Sequence, residues 1–491
     1  MKNKKKIVLL GGLILSTLFH FNSQAQEKNT ISISSKEIIK VDATQYYKEP
    51  FRPQFHFSPE KKWMNDPNGM LFHNGTYHLF YQYYPEDIVW GPMHWGHATS
   101  TDLIHWQHKK IALFPDELGY IFSGSAVMDT NNTSGLGTKE NPPMIAVFTY
   151  HNMEFEKAGK INTQTQGLAY SLDQGETWKK YNANPIINNI TLKDFRDPKV
   201  FWNEDTNQWN LVLVAGDRAQ IYTSANLLQW KLESEFGQNK GAHGGVWECP
   251  DLFKVKVNGT QEEKWVLLVS INPGAPNSGS ATQYFVGDFD GKTFTTSQKE
   301  IKWVDYGTDN YAGVTYNDAP GGERIFLGWM SNWNYARDTP TTNWRSAMTL
   351  PRTLSLSTIK GDYVLQSQPV AQLDKQLSTD FSIEKIKLNK GVDKVFAYSN
   401  VNQSKIQFKA ENKNLKLVFS NVVNDLLVLQ YDAQKQTFAI DRRLSGKVNF
   451  EKSFGEKIHT TPTPNLITKN IDFQIILDWS SIEIFLNGGV Y

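Results

Sequence analysis

From residue 52 to about 356 the chain never offers a long amphipathic helix. Short β-branched and aromatic runs alternate with Gly, Asn, Asp and Pro turns, as in Met144-Ile145-Ala146-Val147-Phe148-Thr149, Trp209-Asn210-Leu211-Val212-Leu213-Val214 and Trp265-Val266-Leu267-Leu268-Val269-Ser270. Such a texture restricts this region to an all-β fold. A degenerate repeat narrows it further. Ser100-Thr101-Asp102-Leu103-Ile104-His105-Trp106 is echoed by Ser171-Leu172-Asp173-Gln174-Gly175-Glu176-Thr177-Trp178 and by Thr223-Ser224-Ala225-Asn226-Leu227-Leu228-Gln229-Trp230, and more weakly by Gly287-Asp288-Phe289-Asp290-Gly291-Lys292-Thr293-Phe294. Each copy reads as a hairpin turn in which Asp or Asn bonds local backbone and an aromatic ring plugs the turn from behind. At about 60 residues per unit the region holds roughly five four-stranded sheets, which predicts a five-bladed β-propeller.

The texture changes after Pro351-Arg352. Residues 357–376 read as a linker. Beyond about 380 a cleaner alternation, as in Leu415-Lys416-Leu417-Val418-Phe419 and Ile475-Ile476-Leu477-Asp478-Trp479, predicts a β-sandwich with one face of each strand in the core. The expected division is 1–25 signal peptide, 26–48 polar and loosely ordered segment, 49–356 propeller, 357–376 linker and 377–491 sandwich. No strand follows the turn signal Asn487-Gly488-Gly489, so either the sandwich closes without one or the sequence is truncated.

The N-terminus carries a basic stretch at residues 2–6, an apolar run at 7–19 and the small residues Ser23 and Ala25. This is the pattern of a secretory signal cleaved after Ala25, and it predicts an exported protein, periplasmic or extracellular. An apolar run of about 13 residues is too short for a bilayer, which needs about 20, so no membrane span is expected after cleavage. With 51 basic and 50 acidic residues and no basic block beyond the N-terminus, nucleic acid is excluded as a partner. The single cysteine, Cys249, rules out an intrachain disulfide and a cysteine zinc cage. The 15 Trp, 20 Tyr and 28 Phe supply flat apolar faces that suit sugar rings, although a Trp-rich β core would give the same count.

Three acidic motifs stand out. In Trp63-Met64-Asn65-Asp66-Pro67-Asn68-Gly69, Pro67 keeps Asp66 out of any helix and Asn68-Gly69 turns the chain. In Phe195-Arg196-Asp197-Pro198, Arg196 is expected to keep Asp197 ionised. In Trp247-Glu248-Cys249-Pro250, Glu248 sits beside Trp247 in a setting expected to raise its pKa, as a general acid requires. Inner strands of a propeller converge on one funnel, where Asp66, Asp197 and Glu248 can meet. Glycoside cleavage needs such a set: one carboxyl to protonate the leaving oxygen, another to attack the anomeric carbon. His94 and His97 lack a matching carboxylate motif and read as structural, so no metal and no cofactor is expected. Strand alternation would point Cys249 away from Glu248, into packing.

These motifs, in this order, resemble the glycoside hydrolase family 32 fructosidases: invertases, inulinases and levanases. The resemblance extends through Tyr81-Gln82-Tyr83, Trp90-Gly91-Pro92-Met93-His94-Trp95-Gly96-His97, Phe122-Ser123-Gly124-Ser125 and Gly328-Trp329-Met330-Ser331-Asn332-Trp333, and continues weakly to Asp478-Trp479-Ser480-Ser481-Ile482-Glu483. It implies a five-bladed propeller plus sandwich and a retaining mechanism. Asp66 would be the nucleophile, Glu248 the acid and then the base, and Asp197 a transition-state stabiliser that binds fructose hydroxyls. It also implies that Asn65, Gln82, Trp90, Ser123 and Arg196 line a terminal-fructose pocket, with Trp333 a further member. The expected substrate is a fructan (levan or inulin) or sucrose. A fructosyltransferase and a non-catalytic fructan-binding protein are the alternatives. Linkage preference, exo or endo action and oligomeric state are not legible in the residues.

Overall fold

The computed structural model describes residues 17–23, 28–35, 47–389 and 393–491. Nearly all regular structure is strand. Among the described residues no helix is long and apolar enough to cross a membrane.

Five antiparallel sheets form the propeller. Their first strands are Lys62–His73, Tyr120–Met128, Phe195–Asn203, Val246–Lys256 and Tyr311–Thr315, and each leads outward through its own sheet. These first strands neighbour one another in a ring, the last returning to the first. Closure is reinforced where Trp344–Arg345 pairs parallel with Lys62 and Trp63.

The repeat explains the outer edges. In four sheets it joins the third strand to the fourth. Asp102 Oδ1 accepts the N–H groups of Ile104 (2.9 Å) and His105 (2.8 Å), and Trp106 Nε1 donates to Leu103 O at 3.1 Å. Asp173 accepts Thr177 N at 2.9 Å, and Asn226 accepts Leu228 N at 3.1 Å and Gln229 N at 3.0 Å, each with a Trp indole closing the turn. Asp290 accepts the N–H groups of Lys292 and Thr293 in the fourth copy. These turns are hairpin plugs, as expected.

The expected linker is a correction. Arg352–Ile359 and Asp362–Pro369 are the third and fourth strands of the fifth sheet. Leu354, Leu356, Val364 and Leu365 are buried there, and the turn between the strands is carried by Lys360 and Gly361 at φ 53° and 81°. The alternation Leu354-Ser355-Leu356-Ser357 was a strand signal. It was obscured because residues 330–351 separate it from its sheet partner Arg324–Trp329. Only the stretch after Pro369, with a 3-10 turn at Asp374–Gln376, connects the two modules.

The sandwich packs two sheets over a core that includes Ile406, Phe408, Leu417, Phe419, Leu429, Ile471, Phe473 and Ile475, with Phe408 and Phe473 stacked at 4.6 Å. The backbones of Thr17–Ser23 and Lys28–Ser35 each take a place inside one of these sheets. The segment expected to be loosely ordered therefore contains a strand at Lys28–Ser35, where the β-branched Thr30, Ile31 and Ile33 favour extended backbone. Residues 1–16 and 24–27, including the expected cleavage point after Ala25, lie outside the described residues. Thr17–Ser23 falls within the expected leader.

Candidate active site

Each of the five inner strands breaks register near its start, and the first breaks it again between Asn68 and Leu71. The shifts near the start fall between Met64 and Pro67, Ile121 and Gly124, Arg196 and Lys199, Glu248 and Asp251, and Tyr311 and Val314. The residues released are Asn65-Asp66, Phe122-Ser123, Asp197-Pro198, Cys249-Pro250 and Ala312-Gly313. A bulge frees residues from the ladder and re-aims their side chains. It also tolerates proline, which has no N–H to give a ladder, and this is why Pro67, Pro198 and Pro250 fit inside strands. The backbone bends sharply at these points: Asp197, Cys249 and Ala312 have φ of 63°, 45° and 53°. Gly124 is required, because a Cβ there would stand 2.1 Å from Val147 O.

The bulges bring the three carboxylates into one bonded cluster. Asp66 Oδ1 accepts Asn65 Nδ2 at 2.9 Å, and its Oδ2 accepts Ser123 Oγ at 2.8 Å. Asp197 is 6% exposed; its N–H donates to Thr149 Oγ1 and its Oδ2 accepts Cys249 N, both at 2.9 Å. The Cys249 thiol lies 3.6 Å from both Asp66 Oδ2 and Asp197 Oδ2. Arg196 donates to Asp194 Oδ1 at 2.6 Å and to Glu248 Oε1 at 3.0 Å, and lies 3.8 Å from Asp197. The Tyr311 hydroxyl donates to Glu248 Oε2.

One guanidinium thus serves three carboxylates, Asp194, Glu248 and Asp197, and the titrations follow. Burial pushes Glu248 up to about 7; Arg196 pulls it down, while Asp197 and Asp66 push it further up. Burial raises Asp197 to about 6 despite Arg196, with Asp66 adding to the rise. Asp66 is raised by burial too, but its bonds from Asn65, Ser123 and Cys249 oppose the rise. Arg196 favours the Asp197 anion, as expected, but from 3.8 Å, with its short contacts on Asp194 and Glu248, it only partly offsets burial.

Cys249 follows its expectation in part. It is buried in the core as expected, but its thiol faces Asp66 and Asp197, because the bulge and its left-handed φ break strand alternation. Burial, with the three carboxylates around it, pushes its thiol well up, so it stays a neutral thiol.

The expected pocket residues are arranged around this cluster. Gln82 is buried on the strand opposite the Asn65-Asp66 bulge, between Tyr81, which pairs with Pro67, and Tyr83, which pairs with Met64. Trp90 is half-buried and packs on Tyr120 and Phe122 at 6.4 and 6.0 Å, beside Ser123. Trp333 stacks on Trp63 at 6.1 Å, and Trp63 Nε1 donates to Asn65 Oδ1 at 2.8 Å. Trp333 therefore stands behind Asn65. His97 is buried, stacked on Phe80 at 4.2 Å, and bonded to His78 at 3.1 Å; His94 bonds Pro92 O at 2.9 Å. Among the described residues no group of three or more His, Cys, Asp or Glu is placed to hold a metal. A cavity of about 510 Å³ lies between propeller and sandwich, lined by Tyr335, Arg442 and Phe454 among others. None of the three carboxylates lines it, so volume does not mark the chemistry here.

The pattern described as the glycosyl hydrolases family 32 N-terminal domain matches residues 56–369, and that of the family 32 C-terminal domain matches residues 361–491. The chain belongs to glycosyl hydrolase family 32. It is 45% identical over 454 residues to a levanase of Bacillus subtilis (strain 168), a match that covers 90% of this chain and 66% of that protein. It is 40% identical over 473 residues to the extracellular exo-inulinase of Aspergillus niger, covering 89% of this chain and 88% of that one. The crystal structure of the Aspergillus awamori exo-inulinase superposes with a TM-score of 0.75 at 36% identity, covering 90% of this chain and 92% of that chain.

Four residues bonded into this cluster were missed in the sequence: Tyr311, Asp194, Gln164 and Thr149. Asp194 was within reach, since strand alternation sets it on the same side as Arg196. Gln164 Oε1 accepts Phe195 N at 2.7 Å from a strand of a different sheet, and Tyr311 comes from the fifth sheet. No local pattern announces either.

Proposed function

We propose that this chain is an exported retaining β-fructosidase that releases terminal fructosyl units from levan or inulin, and from sucrose. The observation that carries the reading is the set of strand bulges gathering Asp66, Asp197 and Glu248 into one cluster, with Arg196 on Asp197 and Glu248 and with Glu248 holding a proton near neutral pH. The levanase and exo-inulinase relatives supply the substrate class and the terminal mode of attack.

Each step follows from a side chain. Glu248, protonated, gives its proton to the glycosidic oxygen as that oxygen leaves C2 of the fructosyl unit. Three donors favour the Asp66 anion, which attacks C2 and forms a fructosyl ester. Glu248, now a carboxylate, takes a proton from water. The oxygen of that water bonds to C2, the ester bond breaks, and Asp66 leaves as a carboxylate. Asp197 forms no bond; its Oδ1, with no hydrogen bond drawn from Cys249, faces the fructose hydroxyls and the charge that builds on the ring. Asn65 and Gln82 offer donors and acceptors to those hydroxyls, Ser123 and Arg196 hold the carboxylates, Trp90 walls the pocket, and Trp333 backs Asn65 through Trp63.

Fructose release from levan, inulin and sucrose, measured beside Asp66→Asn and Glu248→Gln, tests the reading. Release by the parent and loss in both variants supports it, and the substrate ranking names the preference. Transfer of fructose to sugar in place of water would make it a transferase. Fructan binding without release would make it a binding protein. Export is tested by N-terminal sequencing of secreted protein: cleavage after Ala25 leaves Gln26 first, whereas retention of Thr17–Ser23 makes that stretch a sandwich strand and not a leader.

A further inference from the structure

Tyr311 meets Glu248, and the segment just before it is gripped by the sandwich. Arg442, on Thr437–Leu444, donates through Nη1 to Asp309 Oδ2 at 2.9 Å and through Nη2 to Thr308 Oγ1 at 3.3 Å. Arg352 donates through Nη1 to Asp305 Oδ2 at 2.9 Å, while its Nε and Nη2 hold Glu483 Oε2, on Ser481–Leu486, at 3.1 and 2.5 Å. Asp305 Oδ2 also accepts Asn310 Nδ2 at 3.1 Å, and Asn310 immediately precedes Tyr311. Gly328 leaves room for this: a Cβ there would stand 2.1 Å from Asn310 Oδ1. On the other side of Tyr311, Ala312 N donates to Ser270 Oγ at 3.1 Å. Residues 305–312 are pinned at both ends, and the pins before Tyr311 lead to the sandwich.

We propose that Tyr311 is a positioning residue for the proton transfers of Glu248, and that Arg442 and Glu483 hold it in place, so that the sandwich is a working part of the catalytic apparatus. The proposal rests on the reading of Glu248 as acid and then base. A hydroxyl both donates and accepts. Tyr311 can therefore donate to the Glu248 carboxylate and accept from the Glu248 acid, and so holds the side chain in both of its states. Arg196, a donor only, suits the carboxylate alone. The other charged or titratable groups around Glu248 are Arg196 and Asp197 from the third inner strand, Asp66 from the first, and Cys249 beside it; none is a hydroxyl.

The test is the pH profile of fructose release. Tyr311→Phe should lower kcat about 10- to 100-fold with KM within about two-fold, a fraction of the effect of an acid–base group. It should also move the basic limb of kcat/KM to higher pH by about half a unit or more, because a donor that favoured the anion is gone. Arg442→Gln should move the same limb in the same direction by less, and Arg442→Lys should restore part of it. Near-UV circular dichroism and Tm establish that each variant is folded. An unchanged kcat and profile in Tyr311→Phe overturns the role of Tyr311. A lowered Tm with an unmoved limb in Arg442→Gln makes the sandwich a stabilising module only. Where Arg442→Gln yields no folded protein, Tyr311→Phe and Arg442→Lys decide. A parent protein that releases no fructose from any of the three substrates would sink the functional reading itself, an outcome distinct from an active parent with an indifferent Tyr311→Phe.

Discussion

Two clusters of buried charge in this molecule titrate in opposite directions. In the funnel, Asp197, Glu248 and Asp194 share Arg196 beside Asp66, and burial lifts Glu248 and Asp197 to about 7 and about 6. Between propeller and sandwich, His56 is fully buried with Nδ1 on Asp478 Oδ2 and Nε2 on Glu483 Oε1, both at 2.8 Å. Both ring nitrogens face carboxylates, so both carry protons and the ring is a cation. Burial alone would lower its pKa, but Asp478 and Glu483 raise it to about 9. Burial would likewise raise Glu483, but Arg352 and His56 bring it down to about 2. The interface cluster is matched in charge and holds the modules together. In the funnel burial, with Asp197 and Asp66 close by, outweighs the one arginine and keeps a proton on Glu248. Compensation marks structure here, and its lack marks chemistry.

The largest expected effect breaks the funnel. Asp66→Asn and Glu248→Gln should each lower kcat on the order of 10⁴-fold, read by fructose release. Next comes the interface. Glu483→Gln leaves Arg352 and His56 without their shared partner, and a broken buried pair costs about 3–5 kcal/mol, read by denaturant unfolding at pH 6. The same change in the funnel should do the reverse. Asp197→Asn should gain stability on the order of 1–3 kcal/mol at pH 8, because a buried charge is removed where none compensated it. The pH dependence sharpens the contrast. The basic limb of kcat/KM should fall near pH 7, where Glu248 loses its proton. The interface contribution of His56 should be complete below its ordinary 6.5 and fade as pH rises through about 9; that of Glu483 should be complete above 4.5 and fade as pH falls through about 2. The smallest effect lies in the hairpin plugs: Asn226→Ala should cost about 1 kcal/mol and leave activity untouched.

What the sequence revealed tracks the range of each interaction. The hairpin plugs, the strands and the three carboxylate motifs are local patterns, and each could be read in one stretch. The bulges were half legible: Pro inside an apolar strand signals one, but the resulting approach of the Cys249 thiol to Asp66 and Asp197 was not drawn from Pro250. Tyr311, Gln164 and the His56–Glu483 contact join elements far apart in the chain. Glu483 lay in a motif that carried the resemblance, yet nothing near it named His56 as its partner. The third and fourth strands of the fifth sheet read as linker because their partner lies across residues 330–351.

The measurement that bears most directly on uncompensated charge as the mark of the site is the unfolding free energy of parent and Glu248→Gln protein from pH 5 to pH 8.5. Glu248 is raised in the folded state, so its stabilising effect is present below its ordinary value and is lost as pH rises through about 7. Similar stability is expected at pH 5, and at pH 8.5 a Glu248→Gln protein more stable by on the order of 1–3 kcal/mol, with fructose release gone. A variant less stable than its parent at pH 8.5 would mean that the Glu248 charge is compensated in the fold, and would contradict it.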